Sequence, residues 1–139
     1  MSMTRQEAIE FLLEHYQHPY HRGTLEHPDI HLTGGSPGCA DVITMQATFD
    51  ADGHLKEVYF DGEGCTISMA AASYVSEITE GKSPEEIEAL SFEDLIDALG
   101  REVVMTRPTC ATTALGTLKQ GVHEYKRQKE AQASKAAEA

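Results

Sequence analysis

Residues Asp61–Gly81 read DGEGCTISMAAASYVSEITEG, and the fold turns on how that stretch is interpreted. A strand ends in a Gly-x-Gly-Cys turn, and the cysteine opens a helix. Ile67, Ala70, Ala71, Tyr74 and Ile78 recur at i, i+3, i+4, i+7 and i+11, the apolar face of a 3.6-residue period. Gly81 just past Glu80 is the expected stop. Gly62 and Gly64 allow a tight entry and a close approach by other groups. Cys65 then stands where unpaired backbone N–H groups and the helix dipole favour a thiolate. A buried structural cysteine fits the same residues, because this residue type is often buried. The stretch alone leaves both open.

Upstream, Ile43, Met45, Ala47 and Phe49 alternate with Thr44, Gln46 and Thr48, a period of two that predicts a strand. Asp50-Ala51-Asp52-Gly53 is the turn, and Leu55–Phe60 the returning strand. Extending the alternation backwards places Cys39 and Asp41 on the side of Ile43. The N-terminal segment from Thr4 to Gln17 predicts an amphipathic helix, with Thr4 and Glu7 as a capping box and Ile9, Leu12, Leu13 and Tyr16 as the stripe. Pro19 stops it. From Pro19 to Gly38 glycine and proline break every period, so this run reads as loop. His15, His18, His21, His27 and His31 lie in or beside it and are expected to be solvated rather than gathered on a metal.

Downstream, Ser83-Pro84-Glu85-Glu86 and Ser91 with Asp94 are two helix starts, and Gly100 ends the pair. Arg101–Thr109 reads as a linker, extended at Glu102–Met105. A last helix is expected from near Cys110, with Ala111, Ala114, Leu115, Leu118, Val122 and Tyr125 as its stripe. The charged, alanine-rich tail over 126–139 carries no stripe and is expected to fray. The expected organisation is one domain, with its core over about 4–125.

The chain has 139 residues, 40% hydrophobic and 24% charged, which suits a soluble globular protein. No apolar run approaches the roughly 20 residues of a membrane span. The opening MSMTRQEAIEF lacks a basic-then-apolar secretion pattern, so a cytoplasmic location is expected. A net charge of −12 disfavours nucleic acid and anionic membranes as partners; it suits a basic protein, a cation or plain solubility. Three cysteines without a CxxC pair, in a reducing compartment, favour metal or thiol chemistry over a disulfide framework.

Cys39, Cys65 and Cys110 each follow small or turn-forming residues, and the last two open helices. Independent structural cysteines are not expected to share that placement, which favours convergence on one site. Three thiolates and Asp41 make four donors, enough for tetrahedral zinc or for the two irons of a 2Fe–2S cluster. Sulfur selects zinc, copper(I) or iron–sulfur chemistry over magnesium or calcium. A carboxylate is the weaker partner for such metals, as suits a site that fills and empties.

Ser36-Pro37-Gly38-Cys39-Ala40-Asp41, Gly62-Glu63-Gly64-Cys65-Thr66-Ile67-Ser68 and Arg107-Pro108-Thr109-Cys110-Ala111-Thr112 resemble the three signatures of the U-type iron–sulfur assembly proteins. That family includes IscU, SufU and the N-terminal domain of NifU. Glu14-His15-Tyr16-Gln17-His18-Pro19, with Gly23 after it, resembles the family's N-terminal helix and loop. The resemblance spans roughly residues 4–125. It implies an α+β fold, a small antiparallel sheet of about three strands with helices packed on one face. It also implies a scaffold that accepts persulfide sulfur from a cysteine desulfurase, assembles a labile 2Fe–2S cluster or holds Zn2+ at the same ligands, and serves acceptor apoproteins. By position, Cys39, Asp41, Cys65 and Cys110 are the implied ligands, with Cys39 and Cys110 the candidate persulfide acceptors.

Three departures place the chain between IscU-like and SufU-like members. Ala40 stands where glycine is usual, Thr109 stands where IscU has histidine and many SufU chains lysine, and no Leu-Pro-Pro-Val-Lys motif precedes Cys110. The Cys65–Cys110 interval is short, as in IscU. The leading expectation is a scaffold rather than an enzyme. The alternatives are a SufU-like, zinc-dependent sulfur acceptor and a zinc-stabilised interaction module.

Overall fold

The computed structural model describes residues 4–36 and 39–138, with side chains described for 4–35 and 41–131. Three antiparallel strands, β1 (Ile30–Ser36), β2 (Cys39–Phe49) and β3 (Leu55–Glu63), form a sheet in the order β1-β2-β3. Ile43 of β2 lies opposite Gly34 of β1 and Gly62 of β3, and Met45 lies opposite Leu32 and Phe60. Among the described residues six helices complete the fold: α1 (Arg5–Gln17), α2 (Thr66–Thr79), α3 (Pro84–Glu88), α4 (Phe92–Leu99), α5 (Arg101–Val104) and α6 (Pro108–Glu138). Among the described residues no helix is long and apolar enough to cross a membrane.

The period-two residues of β2 bury as expected. Ile43, Met45 and Ala47 are wholly enclosed, together with Val58 and Phe60 of β3. Enclosing each of the large ones is worth roughly 1.5–3 kcal/mol. Helices α2 and α6 pack over that sheet face, α1 lies against α2, and α3 to α5 lie along α6. The opposite face is covered in part by the loop after α1. Buried Gln46 accepts the Leu25 N–H through Oε1 at 3.0 Å and donates through Nε2 to the Gly23 carbonyl. His21 and Gly23 also exchange backbone hydrogen bonds with Phe60, so the loop lies along the β3 edge.

Helix α2 is the hub. Met69, Ala70, Ala71, Ala72, Ser73, Val75, Ser76 and Thr79 are all buried, so most of its circumference is enclosed. Small side chains allow this, because neighbouring elements can approach on several sides at once. The expected stripe captured only part of it: Ile67, Tyr74 and Ile78 are the half-exposed members. On α1 the packed face is Ala8, Phe11, Leu12 and His15, leaving Leu13 and Tyr16 exposed. The expected stripe was thus turned too far, because Phe11 and His15 edge onto Tyr74 of α2 and set the rotation.

Four further expectations are corrected. β1 lies within the run read as loop. Its alternation is only Ile30 and Leu32 before two glycines, and Gly34 is required by packing: a Cβ there would fall 2.0 Å from Thr117 Oγ1 of α6. The segment read as an extended linker forms the short helix α5. Gly100, at φ 103°, ends α4 and starts α5, and Arg101 reaches back to Asp97 and Glu93. The last helix begins at Pro108, where a missing N–H costs nothing. Its backbone is helical to Glu138, through the tail expected to fray, as a composition rich in Ala, Lys, Glu and Gln allows.

The histidines are the fourth correction. His18, His27 and His31 are exposed, but His15 and His21 are structural. His15 Nδ1 lies 2.7 Å from Ser73 Oγ, which also accepts the Tyr20 N–H. His21 is stacked between Tyr20 and Tyr59, with Nδ1 2.5 Å from Glu80 Oε1. The Tyr20 hydroxyl donates to the same carboxylate, which pushes its pKa up to about 12.

Candidate metal centre

Two helix starts and one strand meet at one end of the sheet. Asp41 stands near the start of β2, on the buried face with Ile43 and only 7% exposed. Cys65 is the N-cap of α2, immediately after the turn that leaves β3. Cys110 lies in the first turn of α6 and is 2% exposed. A carboxylate oxygen of Asp41 and the sulfur atoms of Cys65 and Cys110 all lie within 4.8 Å of one another. The backbone of Cys39, the remaining expected ligand, belongs to β2, and its side chain lies outside the described residues.

The turn before Cys65 is built by close approach. Gly62, at φ 136°, crosses β2 so tightly that a Cβ would fall 2.0 Å from the Val42 carbonyl oxygen. A Cβ on Gly64 would come within 2.9 Å of Asp41 Cγ and 3.1 Å of Ser68 Cβ. Arg22, from the loop along β3, donates to the Gly62 carbonyl at 3.0 Å and holds the turn from outside.

Hydrogen bonds tie the donors together. The Cys65 side chain makes no cap bond, and its N–H donates instead to Asp41 Oδ1 at 3.1 Å. Cys65 Sγ lies 3.5 Å from Asp41 Oδ2 and 3.6 Å from Ser68 Oγ. The Ser68 hydroxyl donates to Asp41 Oδ2, and it lies 3.4 Å from the Cys110 carbonyl oxygen. Both helix N-termini direct the positive end of their dipoles here, which favours an anionic donor set. Cys65 is a free thiol, and ligation by either cysteine takes the thiolate form.

The donor chemistry fits zinc or iron–sulfur. Tetrahedral ligands about 2.0–2.3 Å from a zinc lie roughly 3.3–3.8 Å apart, a spacing that Cys65 Sγ and Asp41 Oδ2 at 3.5 Å already have. Sequence reasoning missed Ser68, although its position three residues after the helix-opening cysteine was the available signal. Among the described residues no histidine joins this group.

The family described as NifU-like N terminal domain matches residues 8–132. This chain belongs to that family. Its similarity to the IscU scaffold protein of Escherichia coli K12 is 28% identity over 125 residues, covering 88% of this chain and 96% of the relative. Iron sulfur cluster assembly protein 1, mitochondrial, of Debaryomyces hansenii is 32% identical over 127 residues, covering 88% of this chain and 70% of the relative. The fold also matches the N-terminal part of a NifU-like protein from Brucella abortus with a TM-score of 0.74. That match has 16% identity and covers 89% of this chain and 99% of the other. Within the NifU-like N-terminal family, the three-stranded sheet with its helices is thus the expected α+β architecture, and the Asp41–Cys65–Cys110 group lies on the motifs that carry the resemblance.

Proposed function

We propose that this protein is an iron–sulfur cluster assembly scaffold, on which Cys39, Asp41, Cys65 and Cys110 receive iron and sulfur and release a 2Fe–2S cluster to acceptor apoproteins. The observation that carries the reading is the convergence of the Asp41, Cys65 and Cys110 donors at the meeting of two helix starts, in a chain of this family. Four protein donors suffice for two irons bridged by two sulfides. The cluster is cargo, and one carboxylate among thiolates gives it a weaker bond through which to leave.

Sulfur arrives by thiolate attack on the outer sulfur of a cysteine desulfurase persulfide. The new persulfide forms on the scaffold, and the desulfurase cysteine departs as thiolate. Each transferred sulfur must then gain two electrons to become sulfide, so the complete assembly needs an external electron donor. Cys39 and Cys110 are the proposed acceptors. Cys110, at 2% exposure, has to become accessible before it meets a partner. The same donors suit zinc, which would hold the site until the desulfurase displaces a thiolate.

The test uses reduced protein incubated with a cysteine desulfurase, cysteine, ferrous iron and an electron donor, followed by a 2Fe–2S apoprotein. The proposal expects persulfide on Cys39 or Cys110 by mass spectrometry and activation of the acceptor. Persulfide confined to Cys65, or an acceptor that gains no cluster, would overturn it.

A further inference from the structure

We infer that Ser68 is the positioning residue for Asp41, holding its carboxylate in the orientation that a metal or cluster meets; this rests on the scaffold reading above. Helix α2 contains four buried hydroxyl residues, Ser68, Ser73, Ser76 and Thr79. Three of them have structural partners. Ser73 bonds the His15 ring and the Tyr20 N–H, while Ser76 and Thr79 donate to the carbonyls of Ala72 and Val75 one turn back. Ser68 differs, because its hydroxyl donates to a carboxylate of the donor group.

Position 68 is 1% exposed and belongs to a helix that packs alanine at 70, 71 and 72. Alanine is the better helix former, and a buried hydroxyl costs free energy unless it is bonded. The hydroxyl is therefore explained by its partner. Asp41 is gripped twice by the first turn of α2, at Oδ1 by the Cys65 N–H and at Oδ2 by Ser68. Two bonds from one helical turn fix the plane of the carboxylate relative to the Cys65 sulfur. Each carboxylate oxygen has two lone pairs, so bonding to the helix and bonding to a metal do not exclude each other. A ligand oriented in this way binds without losing freedom at the moment of capture, the usual contribution of a group that bonds a metal ligand from behind.

The test is a double-mutant cycle at Ser68 and Asp41, read by competition for Zn2+ against a chromophoric chelator and by the thiolate-to-metal bands of bound Co2+, in reduced protein. Ser68→Ala should weaken Zn2+ binding about 10–100-fold while the thiolate-to-cobalt bands remain. In the Asp41→Ala background, adding Ser68→Ala should change the affinity less than about twofold, because Ser68 acts through Asp41. Parental affinity in Ser68→Ala, or the same loss with and without Asp41, overturns the inference while leaving the scaffold reading intact. A parental protein that binds neither metal overturns both. Where Ser68→Ala alone does not fold, the comparison of Asp41→Ala with the double variant decides, since neither retains the buried carboxylate. Equal affinities support the inference, and a weaker double variant overturns it.

Discussion

At the scale of the residue, the centre depends on what is absent as much as on the donors. Gly64 leaves room for the Asp41 carboxylate, and a methyl group there would meet Asp41 Cγ at 2.9 Å. Gly64→Ala is expected to cost about 1–3 kcal/mol in denaturant unfolding, the usual penalty for overpacking, and to weaken Zn2+ binding in the same protein; parental values in both would contradict the packing account. His15 makes a second prediction. Burial holds its pKa below the ordinary histidine value, with Glu77 and Glu14 pulling less strongly the other way. The unfolded chain therefore takes up this proton more readily than the folded one, near pH 6.5. The contribution of His15 is present above that pH and is lost as the pH falls through it. Melting temperatures between pH 7.5 and 5.5 should fall less steeply for His15→Gln than for the parental protein, and equal slopes would remove His15 as the cause. That Cys65 and Cys110 come together was legible from their shared local setting. Ser68 was not, because its importance lies in a partner 27 residues away.

Among the elements, strong local chemistry was readable and long-range packing was not. The Thr4–Glu7 and Ser83–Glu86 capping boxes and the Ser91 cap all form as their spacing predicts, because each involves neighbours in sequence. The β2–β3 hairpin follows its alternation and its Gly53 turn for the same reason. β1 escaped because its pairing with β2 and its contact with α6 specify it, and its own alternation is too short. Gly34→Ala should therefore destabilise the fold by about 1–3 kcal/mol, and Thr117→Ala in the same chain should recover part of that loss, since Thr117 supplies the nearest atoms. Denaturant midpoints of the two variants check this; no recovery would mean that strand conformation, not α6 contact, sets the glycine. The Arg101 pairs to Glu93 and Asp97 shape the α4–α5 corner but are solvent-exposed. Arg101→Ala should therefore shift stability by less than about 1 kcal/mol, as surface ion pairs do.

For the whole molecule, an acidic chain with a net charge of −12 brings together, among the described residues, one group of sulfur and oxygen donors. Metal bound only by the folded state stabilises it by mass action. Stripping metal from reduced protein should lower its melting temperature, and Cys65→Ser should abolish most of that difference. A melting temperature indifferent to confirmed metal loss would separate the centre from the fold. The central claim, that these donors together hold an assembling cluster, meets its most direct test in anaerobic reconstitution of the reduced protein with ferrous iron and sulfide. The account predicts a visible-absorbing product with two irons and two sulfides per occupied site, lost in Cys65→Ser and Cys110→Ser. A chromophore of equal intensity in those variants, or none in the parental protein, would contradict it.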